Sequence, residues 1–384
     1  MRSRLERTPF ADWWWTVDRL LLVALCILMV AGIVLGMAGS PPVAERLGLA
    51  TFHFVNRQVM YLVPAGIVML VVSFFTPRHV RRAALLIYVV GMAMVVATLL
   101  FGAEVKGGRR WLSLAGMTIQ PSEFVKPAFV VLAAWAFSEG GRRTDVPGTI
   151  IGFLLLFVTI TPLVMQPDIG QTTLLALVWT GLVFLSGLHL FWVVALGGFG
   201  ALGLFAAYHL LPHVAARIDR FMNPASGDTF QIDNAIDSFV QGGWLGKGPG
   251  EGTVKRILPD SHTDFIFAVT AEEFGIVMCL TLILVFALVV LRGLVLSRRN
   301  EEPFCRLAAA GLVMLFGLQS VINMAVNVHL MPAKGMTLPF ISYGGSSLIS
   351  LALAMGFLLA VTRRRPRSEY FDRIVVTRNE RGSA

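Results

Sequence analysis

The strongest chemical feature of the chain is a carboxylate placed where a polar loop gives way to a long apolar stretch. It is Asp264, in Pro259-Asp260-Ser261-His262-Thr263-Asp264-Phe265-Ile266-Phe267-Ala268. Such a group can serve as a general base towards a hydroxyl. It can equally cap a helix, because a helix start favours a side-chain acceptor and a negative charge; Thr263 or Asp264 has the position for this. Glu272 and Glu273 follow in the same stretch, and ionised groups inside a span need partners or water. On a regular helix Glu272 lies about 80° round from Asp264 and about 12 Å further along, while Glu273 points roughly the opposite way. Glu272 is thus a candidate for the same cavity, and Glu273 for an ion pair within the bundle.

Three further groups could hold an anionic substrate. In Lys106-Gly107-Gly108-Arg109-Arg110-Trp111, two arginines beside a tryptophan suit an interfacial anion site, although snorkelling next to a belt tryptophan explains them as well. Gln120-Pro121-Ser122-Glu123-Phe124-Val125-Lys126 reads as a helix start, with proline in the first turn. Glu123 and Lys126 share a face at i and i+3 and can pair; a lysine inside an apolar stretch is also a functional candidate by default. Asn323 and Asn327 share a face at i and i+4. They precede Pro332-Ala333-Lys334-Gly335, with Lys334 the only cation of its loop, and Pro339-Phe340-Ile341-Ser342-Tyr343-Gly344-Gly345-Ser346-Ser347. Asp168, in Gln166-Pro167-Asp168-Ile169-Gly170, reads mainly as a cap for the next helix. Gly242-Gly243-Trp244-Leu245-Gly246-Lys247-Gly248-Pro249-Gly250 lacks the spacing of a phosphate loop and reads as a flexible loop with one aromatic anchor. Cys26, Cys279 and Cys305 read as small hydrophobes, and the sequence has no metal-ligand cluster or nucleophile elbow.

The elements that must position these groups are membrane helices. Of 384 residues 56% are hydrophobic and only 14% charged, with a mean hydropathy of +0.72; this excludes a water-soluble domain, a disordered chain and a disulfide scaffold. Ten stretches are long and apolar enough to span, at 18–38, 57–75, 82–101, 121–138, 148–165, 170–187, 189–212, 264–295, 303–327 and 341–363. The expected class is therefore an all-α polytopic membrane protein with ten transmembrane helices. The first stretch is too long for a cleaved signal and reads as an uncleaved anchor; Trp13-Trp14-Trp15 before it would sit in the aromatic belt. With the N-terminus inside, 20 of the 32 Lys and Arg residues fall on inner segments and 11 on outer ones. That bias puts both termini in the cytoplasm and accounts for much of the net charge of +9 without nucleic acid. The organisation is then a cytoplasmic segment 1–17, a membrane domain 18–363 and a basic tail 364–384, with a large extracytoplasmic loop, 213–263, between helices seven and eight.

The unusual residues gather on the outer face, where no nucleotide-activated donor is available. A catalyst there must draw an activated substrate from the lipid. A sugar on a polyprenyl diphosphate fits: its diphosphate needs Arg or Lys at headgroup depth, its acceptor hydroxyl a carboxylate, and its tail a groove between helices.

The motifs quoted above, with Gly243-Trp244-Leu245-Gly246, Ala271-Glu272-Glu273-Phe274-Gly275 and Leu338-Pro339, run in the order found in the SEDS proteins (shape, elongation, division and sporulation), which the chain resembles. The resemblance implies a SEDS-type ten-helix bundle in the bacterial inner membrane that polymerises lipid II into β-1,4 glycan strands on the periplasmic side. Pro332-Ala333-Lys334-Gly335 and Ser346-Ser347 are similar to the division branch, which implies work at the septum. It further implies Asp264 as the catalytic residue and Arg109, Lys126 and Lys334 as groups that meet the diphosphate. Glu123, Glu272, Trp111 and Ser342 join the expected substrate site. It leaves room for a divalent cation such as magnesium beside Asp264. The implied partners are lipid II, the growing strand, a class B penicillin-binding protein and other division proteins. A lipid II flippase and a non-catalytic scaffold are the competing readings.

Overall fold

The computed structural model describes residues 8–105, 108–114, 117–143, 145–187, 190–210, 212–222, 230–332 and 335–364. Each of the ten apolar stretches coincides with a helix. They are α2 (Arg19–Arg46), α3 (His53–Ser73), α4 (Pro77–Phe101), α5 (Pro121–Gly140), α6 (Gly148–Met165), α7 (Ile169–Leu185), α8 (Leu190–Leu210), α11 (Ile266–Arg298), α12 (Pro303–Asn327) and α13 (Gly345–Thr362). By length and composition alone, seven helices among the described residues are apolar and long enough to cross a membrane: α2, α3, α4, α6, α11, α12 and α13. Helix α7 is a shorter apolar helix, and α5 carries Glu123 and Lys126 within its apolar run. The chain is a multi-pass helical membrane protein. Large apolar side chains such as Leu86, Phe101 and Phe157 are left exposed on its flanks, as expected where lipid replaces water.

Helix α13 lies in the middle and packs mainly on α3, while α12 bridges α5, α7, α11 and α13. Small residues set these contacts. A Cβ on Gly345 would come within 2.7 Å of the Tyr61 ring, and one on Gly356 within 3.0 Å of the Met69 carbonyl. Glycine is what lets the backbones approach so closely.

One end of the bundle gathers the described terminal residues. Asp18 caps α2 and binds Arg292, the Arg292 Nη2 to Asp18 Oδ2 distance being 2.6 Å. Arg363 Nε donates to Thr16 Oγ1 at 3.0 Å and Arg364 N to Thr16 O at 3.1 Å. A short helix α1 (Pro9–Thr16) precedes α2. Its Trp13 is buried, stacked on Phe74 at 5.0 Å and donating to Ser73 Oγ at 2.7 Å, so only Trp14 and Trp15 are exposed as a belt would require.

The opposite end holds the loops, and here the structure adds what hydropathy does not show. Segment 102–120 contains an antiparallel sheet, β1 (Ala103–Val105), β2 (Gly108–Leu114) and β3 (Met117–Ile119). Segment 213–263 is not a plain loop: it contains most of α9 (Pro212–Met222), then α10 (Phe230–Gly242) and a 3-10 turn at Val254–Arg256. Helix α10 packs on α11.

Helix α11 is broken at Gly275, whose φ of 77° and ψ of 178° are non-helical. A break leaves carbonyls without donors on one side and N–H groups without acceptors on the other. The glycine-rich segment satisfies both. Lys247 N donates to Glu272 O at 2.9 Å and Gly248 N to Glu273 O at 3.1 Å; Ile276 N and Val277 N donate to Gly243 O and Trp244 O at 2.9 and 3.2 Å. A Cβ on Gly242 or Gly246 would lie within 1.9 or 2.2 Å of a carbonyl oxygen of α11. The expectation of a flexible loop is therefore corrected: Gly242 and Gly246 allow close backbone contact, and the segment plugs the break.

Candidate active site

Asp264 closes a run of turns before α11, which begins at Ile266 with Phe265 in the N-cap position and no side-chain cap. Neither Thr263 nor Asp264 takes up the capping role open to it. The reason lies on α12. Asn327 Oδ1 accepts from Ala268 N at 3.1 Å, supplying from another helix the acceptor that a cap would provide. The same side chain donates through Nδ2 to the Asp264 carbonyl at 2.9 Å, and Asn323 Nδ2 does so at 3.0 Å. Asp264, half-buried, is thus held by its main chain. It faces segment 335–337: a Cβ on Gly335 would lie 3.6 Å from Asp264 Oδ2.

That segment is fixed by the same helices. Asn323 Nδ2 donates to Met336 O at 2.6 Å, and Gln319 Nε2 to Thr337 O at 3.1 Å. Ser342 Oγ accepts from Leu338 N at 2.7 Å and donates to Thr263 O at 2.6 Å. Ser342 therefore positions Asp264 by holding its neighbour. Phe340 has a left-handed φ of 63°, and its carbonyl lies where a Cβ on Gly32 of α2 would be, 2.1 Å away. Gln58, buried in α3, donates to Ile341 O at 3.1 Å and to Gly32 O at 3.2 Å, pinning this turn to α2.

Lys126 and Glu123 form the expected i, i+3 pair at 2.8 Å, with both side chains at least 95% buried. Lys126 Nζ also donates to Gln319 Oε1 at 3.2 Å, and Gln171 Nε2 to Glu123 Oε1 at 2.8 Å. The lysine therefore lies behind segment 335–337, joined to it through Gln319, and not on an open surface. Glu272 is also committed: its carboxylate accepts from the backbone N–H groups of Thr253, Val254 and Lys255 at 2.5, 2.7 and 2.9 Å. The expectation that it faces the Asp264 cavity gives way to a clamp on residues 253–255. A buried glutamate needs several donors, and the start of the 3-10 turn supplies them. Glu273 forms the expected ion pair, with Lys255.

In β2, alternate residues face opposite ways. Arg110 turns inward and donates to Gln166 O at 3.2 Å and Pro167 O at 2.6 Å, stapling the sheet to the α6–α7 turn. Arg109 turns outward, half-exposed, with Glu104 at 3.8 Å. Trp111 beside it is partly buried. Asp168 caps α7 as read, accepting from Gln171 N at 3.3 Å. Burial pushes its carboxyl above the usual range, opposed by Arg110 at 3.9 Å. Lys334, predicted to meet the substrate, lies outside the described residues. Among the described residues no three His, Cys, Asp or Glu side chains converge on a metal position. Gln58, Gln319 and Thr337 escaped the sequence reading because an isolated amide or hydroxyl, in a span or in a loop, carries no spacing signal; Asn323 and Asn327 did carry one.

The model of the Cell cycle protein family, FTSW_RODA_SPOVE, matches residues 18–367. A protein of Caulobacter vibrioides named probable peptidoglycan glycosyltransferase FtsW is 45% identical over 365 residues, covering 95% of this chain and 94% of its own. One of the same name from Geobacter sulfurreducens is 35% identical over 360 residues, covering 90% and 95%. Among solved structures, a chain from a peptidoglycan synthase complex that coordinates polymerization and crosslinking aligns with a TM-score of 0.74 at 26% identity, covering 91% of this chain and 98% of its own. A mutant of the rod shape determining protein RodA from Thermus thermophilus aligns with a TM-score of 0.68 at 25% identity, covering 92% and 100%.

Proposed function

Since the chain belongs to the cell cycle protein family of FtsW, RodA and SpoVE, we propose that it is a peptidoglycan glycosyltransferase that polymerises lipid II on the periplasmic face of the inner membrane, at the division septum, with Asp264 as general base. The Asp264 carboxylate takes the proton from the 4-hydroxyl of the GlcNAc on incoming lipid II. The freed oxygen attacks C1 of the MurNAc at the end of the growing strand, the bond from C1 to the diphosphate oxygen breaks, and undecaprenyl diphosphate leaves. The product is a β-1,4 bond with inversion at C1. Arg109, at this end, and Lys334 steady the charge that develops on the diphosphate. Lys126 acts at one remove, by holding Gln319 and through it the segment that faces Asp264. A magnesium ion, if bound, would be held by Asp264 and the substrate's own phosphates with water, and would neutralise the same charge.

The observation that carries this reading is the grip of Asn327 and Asn323 on the Asp264 carbonyl, which sets the carboxylate, at the start of α11, against Gly335. A transpeptidase of the class B penicillin-binding type is the partner proposed for the outer surface formed by segment 213–263. The test is polymerisation of labelled lipid II by the purified full chain with that partner. Asp264→Asn keeps the shape and the main-chain bonds and should abolish product, while Asp168→Asn, which retains the α7 cap, should still make strands. Strands made at the wild-type rate by Asp264→Asn would overturn the assignment. Movement of lipid II across vesicles without any polymer would favour a flippase.

A further inference from the structure

A second lipid-facing feature lies away from Asp264. Helix α2 and the broken start of α11 enclose a cavity of about 390 Å³, within the size range of small-molecule sites. Its apolar walls are Val34 and Met37 of α2, Phe52 before α3, and Phe274 at the break. Val34 to Pro42 lie about 22 to 35 Å from the Arg19 end of α2, which is the depth of one leaflet's inner chains up to its headgroups. Its polar side is the buried Lys255–Glu273 pair, with Glu45 and Arg256 also lining the cavity. Glu273 is 1% exposed; its Oε1 is taken by Lys255, but its Oε2 has no hydrogen-bond partner. A buried carboxylate oxygen without a donor is costly, and here it belongs to a side chain that lines a cavity.

We propose that this cavity is a site for a phospholipid of the outer leaflet whose headgroup carries a primary ammonium, phosphatidylethanolamine in chemical class. The acyl chain lies along Val34, Met37, Phe52 and Phe274. The ammonium donates to Glu273 Oε2 and faces Glu45, and the phosphate meets Arg256. Two acids and two bases round one apolar slot match a zwitterion better than an anion. The occupied site ties the plugging loop to α11, because Lys255 N also donates to Glu272 and Lys255 Nζ to Ala38 O at 3.3 Å. This inference is independent of the catalytic assignment: Asp264 does not line the cavity, and the readout is lipid retention.

The test uses the purified full chain, washed free of co-purified lipid in detergent and titrated with phosphatidylethanolamine, phosphatidylcholine or phosphatidylglycerol of identical chains under native mass spectrometry. Phosphatidylcholine keeps the charge but has no N–H to donate, so phosphatidylethanolamine should bind at one per chain and about ten-fold tighter, as one hydrogen bond to a charged group is worth. Glu273→Gln would strand buried Lys255, so the slot is instead closed by Met37→Trp at a half-exposed position. That variant should keep the wild-type thermal midpoint and lose the preference. Equal binding of phosphatidylcholine, equal binding of phosphatidylglycerol, or an undiminished preference in Met37→Trp would each overturn the proposal.

Discussion

Asn327 performs at α11 the task that an aspartate beside a helix start ordinarily performs itself. A side-chain amide has both a donor and an acceptor, so one residue can cap the helix and grip the Asp264 carbonyl at once. Lys126 is both a buried partner of Glu123 and the cation that holds Gln319. Lys126→Met should leave Glu123 as an uncompensated buried charge and cost about 3–5 kcal/mol. The double variant Glu123→Gln, Lys126→Met removes that charge and should restore most of the thermal midpoint. If Lys126 only balanced the charge of Glu123, strand synthesis should return with the fold; if it also holds Gln319, synthesis should return only partly. A fully folded double variant without any product would show that the lysine is needed beyond its pairing with Glu123.

At the scale of elements, the break in α11 joins two functions in one geometry. Gly275 ends the first segment of α11, and Glu272 and Glu273 just before it fasten the segment between α10 and α11 through Lys255 and the 3-10 turn. Gly246 sits against that break with a φ of 80° and its Cβ position 2.2 Å from Glu273 O. Gly246→Ala should therefore cost at least about 1–3 kcal/mol of strain, with a clash added. The yield of folded protein in detergent and its thermal midpoint would both drop. Trp244→Ala, in the same loop but with an exposed side chain, should leave the midpoint nearly unchanged, within about 0.5 kcal/mol.

For the whole molecule, the ion pair Asp18–Arg292 links the start of α2 to the far end of α11. Burial works against ionisation of Asp18, yet Arg292 and the cap bond from Leu21 N hold its carboxyl below the ordinary 3.8. A carboxyl lowered on folding contributes stability that is complete above its unfolded value and lost as pH falls through its folded one. Asp18→Asn should therefore lower the thermal midpoint near neutral pH, by the equivalent of about 1–3 kcal/mol. The gap to wild type should close as pH drops below 3.8. A gap that stays constant from pH 7 to pH 3 would show that the pair contributes through shape alone.

Hydropathy alone determined the ten apolar helices, because a span is a matter of length and polarity that each segment carries by itself. Local rules likewise determined the α5 start at Pro121, the Asp168 cap and the Glu123–Lys126 pair. Tertiary structure decided what those groups touch. Asn327 lies 59 residues from Ala268, Ser342 lies 79 from Thr263, and Gln58 lies 283 from Ile341; no local period encodes such pairings. The same holds for the glycine-rich segment, whose purpose exists only once a broken helix stands beside it, and for Glu272, whose three donors come from a turn the sequence places in a loop. A span is selected by its solvent, but a hydrogen bond across the bundle exists only after the chain has folded back to make it.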